Sequence, residues 1–247
     1  MKGVILAGGT GSRLFPVTKV TNKHLLPVYD KPMIFYPIEC MARAEIDEVL
    51  LVTGGNNAGD FIRLLGYGRE FGLKELNYTY QDGAGGIAQA LGLAEHFAGG
   101  ESICLILGDN ILEYTIKESC RRFRHQGQGA KILLSEVANP KAYGVAEMDG
   151  DRVVKIVEKP KEPKSNWAVI GIYFYDNNVF DIVRTLKPSA RNELEITDVN
   201  NAYIERGEMT ADKVSGIWAD AGENIDFYLK ACNMIAQNGA NKELKGA

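Results

Sequence analysis

Short apolar runs alternate with amphipathic stretches along the first half of the chain. The apolar runs lie at residues 2–7, 48–53 and 102–107. Each predicts a buried strand, since a strand covered on both faces is apolar almost throughout. A fourth strand is predicted at 76–81, where Tyr78 and Tyr80 alternate on one side. The intervening spacing predicts helices at 32–44, with Pro32 as the first helical residue, and at 59–65 and 87–97. This β-α-β-α-β-α-β order predicts a parallel sheet with helices on both faces.

The second half of the chain has a different pattern. Alternating stretches on either side of Asp149-Gly150-Asp151 predict a hairpin, and residues 159–164 form a polar loop broken by prolines. Further strands are predicted at 130–137, 145–148, 152–158 and 167–175, a strand or hairpin at 209–219, and helices at 179–186, 193–205 and 227–237. No internal repeat or linker divides the chain. We therefore predict one domain over residues 1–247, an α/β fold with a Rossmann-like mixed, mostly parallel sheet and a smaller hairpin-rich lid.

Composition excludes several classes of protein. The net charge is −4, from 28 basic and 32 acidic residues, so we expect no nucleic-acid partner. The cysteines and histidines show no zinc-binding spacing, and Cys40, Cys104 and Cys120 lie in apolar stretches typical of buried free thiols. The first apolar run stops at Gly8, which is too early for a signal peptide, and no run is long enough to cross a membrane. We expect a soluble, cytoplasmic protein.

A glycine-rich loop, Gly8-Gly9-Thr10-Gly11-Ser12-Arg13-Leu14, follows the first predicted strand directly. Glycines let the backbone turn sharply, and consecutive N–H groups can then surround a phosphate oxygen. Arg13 and Lys23 add cations to this loop. The dinucleotide-binding motif would need glycine in place of Leu14, and the P-loop would need glycine in place of Arg13. A glycine-rich turn with an exposed arginine is the alternative interpretation.

Two aspartates suggest a metal site. Asp109 and Asp220 each follow an apolar stretch and lie next to or near glycine, and Mg²⁺ commonly takes one or two carboxylates together with substrate phosphates. The alternative for each is a turn or helix-capping aspartate. The Gly8 loop, Gln81 and Asp109 all follow predicted parallel strands, and ligands bind beyond the carboxyl ends of such strands. We therefore expect them to share one crevice.

A third group of charged residues lies in the second half. Glu158 and Lys159 precede Pro160 at a predicted strand end, where Lys159 could bind a phosphate and Glu158 a sugar hydroxyl. Arg191 could be a further phosphate ligand. Each could equally be a solvated surface charge.

Taken together, these motifs resemble those of the sugar-nucleotide nucleotidyltransferases. The similarity follows the same order through most of the chain, at residues 8–14, 23–28, 31–33, 81, 86–90, 107–110, 143–145, 158–160, 193–198 and 218–222. The resemblance implies a GT-A-like fold and Mg²⁺-dependent transfer of dTMP from dTTP to α-D-glucose 1-phosphate, which yields dTDP-glucose and pyrophosphate. It also implies a homo-oligomer that serves dTDP-rhamnose and polysaccharide biosynthesis, with no membrane partner.

The same resemblance implies a role for each candidate residue. The catalytic set is Arg13, Lys23, Asp109, Lys159 and Asp220, of which Asp109 and Asp220 bind the metal. The nucleotide contacts Leu6, Gly8, Gly9, Gly11, Ser12, Arg13, Lys23, Gln81, Gly86 and Asp109, with Gln81 and Gly86 at the thymine edge. The sugar phosphate contacts Asn110, Tyr143, Gly144, Glu158, Lys159, Val169, Tyr173 and Arg191, with Lys159 and Arg191 at the phosphate.

The chain departs from the pattern of this family at a few positions. Ser12 replaces a usual threonine, Asn192 a usual glycine, and Ala219 and Ala221 flank Asp220 where larger or hydroxyl residues are common. The chain ends soon after the last predicted helix, so we expect no distal regulatory site of the kind that longer members have. A UTP-dependent enzyme is the main alternative, because one methyl group gives only about 1–3 kcal/mol of discrimination. A non-catalytic sensor is disfavoured because all five charged catalytic candidates are present.

Overall fold

The structure is a computed structural model that describes residues 1–9 and 11–244. Thr10 of the glycine-rich loop and the last three residues of the polar tail lie outside the described residues. The chain divides into two compact units, of which unit 1 comprises Met1–Ala84, Ile106–Glu118 and Ser215–Ala247, and unit 2 comprises Gly85–Leu105 and Ser119–Val214. The single domain expected over residues 1–247 stays a prediction.

Strands and helices alternate through the chain. The strands are β1 (Lys2–Ala7), β2 (Pro27–Val28), β3 (Lys31–Pro32), β4 (Glu48–Gly54), β5 (Glu75–Gln81), β6 (Ile103–Leu107), β7 (Asn110–Leu112), β8 (Ala130–Glu136), β9 (Gly144–Asp149), β10 (Arg152–Glu158), β11 (Trp167–Tyr175), β12 (Met209–Lys213) and β13 (Trp218–Asp220). The helices are α1 (Phe35–Arg43), α2 (Ala58–Leu65), α3 (Ile87–Gly92), α4 (Glu95–Ala98), α5 (Lys117–Gln126), α6 (Val179–Thr185), α7 (Ile196–Glu205) and α8 (Ile225–Asn238). Among the described residues, none of these helices has the length and apolar character needed to cross a bilayer.

Unit 1 contains the predicted parallel strands. β4 pairs in parallel with β1 on one side and with β5 on the other, and Val4, Ile5 and the 49–52 run are buried. Gly108, which follows β6, donates its N–H to the Leu6 carbonyl at 2.8 Å. The carboxyl ends of β1, β5 and β6 therefore lie at the same edge, as the order of elements predicted.

The last described segment completes unit 1. β13 pairs antiparallel with β7, and beyond β7 the Asn241 and Lys242 N–H groups donate to the carbonyls of Leu112 and Glu113. Helix α8 packs its buried face against β7 and the segments around α1; this core contains Val28, Met33, Tyr36, Ile111, Ala221, Ala231, Met234 and Ile235. Both sides of β7 are thus hydrogen-bonded.

Unit 2 is built on antiparallel pairing. β9 and β10 form the predicted hairpin, β11 pairs antiparallel with β8 and β9, and β12 joins β8 in parallel. Buried tyrosines support this sheet: the Tyr175 and Tyr203 rings stack with centroids 5.8 Å apart, and their hydroxyls donate to Asn200 and Asp176 at 2.6 Å. The mixed α/β fold class is confirmed.

Several element boundaries differ from the prediction. Pro32 does not begin a helix, because it lies in β3 and the N–H groups of Met33 and Ile34 donate to Leu26 and His24; α1 begins at Phe35. Residues 87–97 form two helices, and the helix expected from 193 begins at Ile196. The 209–219 stretch is not a hairpin, since β12 and β13 pair with β8 and β7 instead of with each other.

One helix was absent from the prediction altogether. Helix α5 consists almost entirely of charged and polar residues, and its buried apolar side chains are Cys120 and Phe123, three positions apart. This narrow stripe gives little apolar periodicity to read. The buried state expected of Cys40, Cys104 and Cys120 is confirmed.

Candidate active site

The glycine-rich loop of unit 1 begins where β1 ends. Gly9 and Gly11 have φ angles of 96° and 62°, in the left-handed region that residues with a Cβ rarely adopt. The Gly11 carbonyl accepts a hydrogen bond from the Thr18 hydroxyl at 2.8 Å. A short 3₁₀ turn, Ser12–Leu14, follows, with Leu14 buried and Arg13 exposed. The loop is thus anchored on both sides of Arg13.

Gln81 lies at the same edge of unit 1. It ends β5 beside Gly54 of β4, and its side-chain Oε1 lies 3.4 Å from the position that a Cβ on Gly8 would occupy. The predicted nucleotide residues Leu6, Gly8, Gly9, Gly11, Ser12 and Gln81 all belong to unit 1, whereas Gly86 belongs to unit 2.

Lys23 and Asp109 form a largely buried ion pair in unit 1. The Lys23 ammonium donates to Asp109 Oδ2 at 2.5 Å, and each side chain is about 12% exposed. Asp109 also accepts a hydrogen bond from the Asn110 amide at 3.0 Å. Residues from two distant parts of the sequence, both predicted to contact the nucleotide, therefore meet directly.

Asp220 lies close to this pair because of strand pairing. In the β7–β13 ladder Asp220 is opposite Asn110, and Ala221 donates its N–H to the Asp109 carbonyl at 2.9 Å. A Cβ on Gly222 would lie 2.2 Å from Asp109 Oδ2 and 2.6 Å from the Lys23 ammonium. A side chain at this position would displace the carboxylate or the ammonium, so Gly222 allows the Asp220 segment to approach the ion pair undisturbed.

The three charges shift one another's pKa values. Burial favours a higher pKa for Asp109, but the Lys23 charge and the hydrogen bonds from Lys23 and Asn110 hold it well below its usual range. Burial, together with the charge of Asp109, raises the pKa of Asp220 to about 7. Burial also lowers the pKa of His24 to about 3, with a contribution from Lys23. His24 is therefore neutral and bonds through Nδ1 to Asn22 at 2.8 Å.

These carboxylates have the chemistry of a magnesium site. Asp109, which directly precedes β7, and Asp220, which ends β13, offer hard oxygen ligands. The Gly222 N–H donates to one oxygen of Asp220 at 3.0 Å. No set of three potential metal-ligating side chains was found within the described part of the chain. Asp109 and Asp220 are thus suited to bind a cation whose remaining ligands are oxygens of the substrates.

Two neighbours of this cluster were not predicted. Glu223 accepts a hydrogen bond from the Arg13 guanidinium, and the Trp218 indole N–H donates to Asn110 at 2.7 Å. Trp218 lies within the 218–222 motif and Glu223 follows it directly, and this proximity is the sequence signal for both.

A polar cavity of about 360 Å³ borders the glycine-rich loop. It is lined by the residues that follow β1 and β4, namely Gly9, Thr18, Lys19, Val20, Thr21, Asn22, Gly54, Gly55, Asn56 and Asn57. Its size is at the lower end of the range for small-molecule sites, and it lies beyond the carboxyl ends of parallel strands, where ligands bind in such sheets.

Unit 2 places four of the predicted sugar-phosphate contacts, Tyr143, Gly144, Glu158 and Lys159, at the β9–β10 hairpin. Glu158 is opposite Gly144, and its Oε2 accepts a hydrogen bond from the Thr197 hydroxyl at 3.1 Å. Lys159 donates its N–H to the Tyr143 carbonyl at 3.0 Å. Thr197, on the first turn of α7, was not among the predicted site residues, although it lies within the 193–198 motif.

Lys159 has an unusual backbone conformation. Its φ angle is 43°, although it has a side chain and precedes proline, both of which disfavour this region. Such outliers persist where surrounding structure enforces them, and they cluster at functional sites.

Arg191 lies among acidic side chains of unit 2. It donates to Glu195 through Nε at 3.2 Å and through Nη2 at 2.8 Å, and its Nη2 lies 3.8 Å from carboxylate oxygens of Glu158 and Glu193. Arg191 and Glu158, both predicted to contact the sugar phosphate, are therefore neighbours. Glu195 was not predicted as a site residue.

The remaining predicted sugar contacts, Val169 and Tyr173, lie on β11. Both side chains are buried, and the pairing of β11 with β8 shifts register between them. The Tyr173 ring stacks on Tyr175 with centroids 6.0 Å apart. Asn110, by contrast, belongs to unit 1.

Comparison with known proteins identifies the family. The model of the nucleotidyl transferase family matches residues 2–238. The chain belongs to the nucleotidyl transferase family. Nucleotidyl transferases of this kind typically use a divalent metal ion.

The relatives of this nucleotidyl transferase include named enzymes. It is 44% identical over 232 residues to a glucose-1-phosphate thymidylyltransferase of Neisseria meningitidis, covering 92% of this chain and 80% of that protein. It is 46% identical over 239 residues to a protein of the same name from Mycolicibacterium smegmatis, covering 95% and 82%.

Solved structures agree with the sequence matches. A Bacillus anthracis protein assigned as a glucose-1-phosphate thymidylyltransferase, in complex with a sucrose, matches with a TM-score of 0.91 and 50% identity over 95% of this chain and 94% of that one. A UDP-glucose pyrophosphorylase in complex with UDP-glucose matches with a TM-score of 0.84 and 26% identity over 96% and 98%. Both confirm the α/β nucleotidyl transferase fold.

Proposed function

We propose that this nucleotidyl transferase is a glucose-1-phosphate thymidylyltransferase, which transfers dTMP from dTTP to α-D-glucose 1-phosphate. The observation that carries the proposal is the cluster in unit 1, where the buried Lys23–Asp109 pair lies against the segment of Asp220 and Arg13 follows on the glycine-rich loop. The names of relatives that are more than 40% identical over most of the chain support the same substrates.

The reaction needs no nucleophile from the protein, because the sugar phosphate is already an anion. In the proposed reaction a phosphate oxygen of glucose 1-phosphate attacks the α-phosphorus of dTTP, and the bond to the α,β-bridging oxygen breaks as pyrophosphate leaves. The protein must hold two mutually repelling anions in line and stabilise the charge that develops. We assign that charge stabilisation to Arg13 and Lys23, and the sugar phosphate to Lys159 and Arg191.

Asp109 and Asp220 are the proposed ligands of Mg²⁺. When bound, the ion neutralises charge on the phosphate oxygens of the substrates. Asp109 also fixes Lys23, so that the ammonium is already oriented beside the phosphate site before substrate binds. Glu158, oriented by Thr197, is placed to accept a hydrogen bond from a sugar hydroxyl.

A UTP-dependent enzyme is the second candidate, because the fold also matches a UDP-glucose pyrophosphorylase. Thymine and uracil differ by one methyl group, so both nucleotides could serve with different efficiency. A non-catalytic sugar-nucleotide sensor is less well supported, since all five charged catalytic candidates are present in the chain.

The first prediction concerns substrate choice. We expect dTTP with glucose 1-phosphate to give the highest kcat/KM and UTP the second highest, because residues 81–90 resemble the thymine-reading stretch of the family. The measurement is pyrophosphate release across ATP, CTP, GTP, UTP and dTTP with several sugar 1-phosphates at matched Mg²⁺, with each nucleotide alone as the control. A preference for CTP or ATP, or no release with any pair, would contradict the proposal.

The second prediction concerns the sugar phosphate. We expect Lys159→Ala to raise KM for glucose 1-phosphate about tenfold and KM for dTTP much less, since a hydrogen bond to a charged group contributes about 1.5–3 kcal/mol. Steady-state kinetics with each substrate varied in turn would show this, and Lys161→Ala, two residues further along the same loop, is the matched control. An effect on dTTP alone would exclude the assignment.

We infer that the protein acts in the cytoplasm, where nucleoside triphosphates are available, and as a homo-oligomer, as its resemblance to the family implies. We also infer a single domain over residues 1–247, because no linker divides the sequence. A place in dTDP-rhamnose and polysaccharide biosynthesis is consistent with the same family.

A further inference from the structure

A closed set of hydrogen bonds holds the Arg191 guanidinium in unit 2. Glu195 accepts from Arg191 Nε at 3.2 Å and from Nη2 at 2.8 Å. The Ser189 hydroxyl donates to the same carboxylate at 2.6 Å and accepts from the Arg191 backbone N–H at 3.2 Å. Ser189, Arg191 and Glu195 thus constrain one another within seven residues of chain.

The turn that carries Arg191 is itself fixed. The Ser189 N–H donates to the Glu193 carbonyl at 2.9 Å, and Asn192 donates to the Ser189 carbonyl at 2.8 Å. Asn192 has a φ angle of 59°, a left-handed conformation in which Asn is enriched and which suits the glycine usual in the family. The backbone around Arg191 is therefore held independently of its side-chain contacts.

Glu195 also interacts electrostatically with Lys159, the other cation predicted to bind the sugar phosphate. Burial favours a higher pKa for Glu195, but the hydrogen bonds from Ser189 and Arg191 and the charges of Arg191 and Lys159 lower it below its usual range. The Glu195 side chain is 15% exposed, against 47% for Arg191. The carboxylate is thus the inner partner of the pair, and the guanidinium faces outward.

The geometry leaves Arg191 able to bind an anion. A guanidinium has five N–H donors in a rigid fork, and Glu195 takes the Nε–H and one Nη2–H. The Nη1 donors and the second Nη2–H point away from Glu195 because the fork is planar. An arginine that is already oriented loses less side-chain conformational entropy when its ligand binds.

We propose that Glu195 is a positioning residue for the sugar phosphate, which it serves by orienting the Arg191 fork before substrate binds. This inference rests on the proposed function, because it assigns the phosphate of the sugar substrate to Arg191. Two other roles would be compatible with the same contacts: a carboxylate that competes with the phosphate for Arg191, or a residue that only supports the start of α7, which it immediately precedes.

Steady-state kinetics of Glu195→Gln separate these roles. Glutamine has nearly the same shape but keeps only one acceptor, so Arg191 loses the two-point contact. We expect KM for glucose 1-phosphate to rise about tenfold, with KM for dTTP and kcat changed less than about threefold. The matched control is Glu193→Gln, which removes the same charge from a carboxylate 3.8 Å from Arg191, and it should change each parameter less than about twofold.

A double-mutant cycle tests whether Glu195 acts through Arg191. In an Arg191→Ala background, Glu195→Gln should have no further effect on KM for glucose 1-phosphate. Ser189→Ala should raise the same KM by a smaller factor, and it carries the test if Glu195→Gln does not fold. Direct calorimetric binding of glucose 1-phosphate to each variant provides the affinities independently of turnover.

The results that would overturn the inference are distinct from failure of the proposed function. A lower KM in Glu195→Gln would indicate a competing carboxylate, and an unchanged KM with a lower melting temperature would indicate a purely structural residue. An equal effect with and without Arg191 would show that Glu195 acts directly. Failure of the wild-type protein to release pyrophosphate from dTTP and glucose 1-phosphate would instead reject the proposed function.

Discussion

Replacing Arg13 by alanine is expected to lower kcat by a factor on the order of 10² or more, as loss of a positioned transition-state donor does. Arg13 lies on the anchored 3₁₀ turn of the glycine-rich loop and is largely exposed, so its removal should leave the fold intact. An interaction made mainly in the transition state affects kcat, whereas one made equally in the ground state affects KM. The measurement is steady-state pyrophosphate release with dTTP and glucose 1-phosphate each varied, after circular dichroism confirms folding.

Glu223→Gln is the matched control for Arg13→Ala. It removes the ion pair with Arg13 but keeps the guanidinium, and partly exposed pairs contribute little to stability. We expect kcat to change less than about tenfold. A near-normal kcat in Arg13→Ala, or an equal loss in both variants, would show that the guanidinium does not stabilise the transition state.

Asp109→Asn and Asp220→Asn should lose activity alike but differ in stability. Each removes a proposed Mg²⁺ ligand, so we expect kcat to fall by a factor on the order of 10² or more in both. Asp109→Asn also leaves the buried Lys23 charge without its partner, which should lower the free energy of unfolding by about 3–5 kcal/mol. Burial and Asp109 raise the pKa of Asp220, so its charged form is unfavourable in the fold, and Asp220→Asn should leave stability unchanged or increase it.

Denaturant unfolding at pH 8, with and without Mg²⁺, measures this contrast. Added Mg²⁺ should stabilise the wild-type protein, because a ligand that binds only the folded state raises its stability, and it should stabilise neither variant. Equal destabilisation of both variants would contradict the account of the Lys23–Asp109 pair. Magnesium stabilisation retained in both would contradict the assignment of the ligands.

The sequence predicted the elements best where apolar residues were continuous. The ends of β4 and β11 were placed within one residue because their runs are buried almost throughout. Helix α5 was missed because only Cys120 and Phe123 contribute an apolar stripe. Pro32 was misassigned because the N–H groups of Met33 and Ile34 donate to the carbonyls of Leu26 and His24. These contacts are not visible in the local sequence pattern, and α1 begins only at Phe35.

In the candidate site, too, the sequence predicted some residues and not others. Arg13, Asp109 and Asp220 could be chosen because each lies next to glycine or an apolar stretch, and Lys23 because it belongs to the 23–28 motif. Glu195 and Glu223 lie within or beside such motifs, but the role of each depends on which arginine it contacts in space. Contacts of that kind depend on the turn at Asn192 and on the close approach allowed by Gly222, neither of which a linear pattern reveals.

The division into two units has a consequence for how such a gene can change. The candidates for the metal and the nucleotide, apart from Gly86, are encoded in the segments of unit 1, and the candidates for the sugar phosphate, apart from Asn110, in those of unit 2. Under the proposed function, mutations that alter sugar choice would accumulate mainly between codons 119 and 214, while the triphosphate and metal sites are inherited from the flanking segments. Recombination between related genes at those two points would exchange acceptor preference in one event, together with Lys159 and Arg191, and keep the metal-binding and triphosphate-binding residues of the recipient.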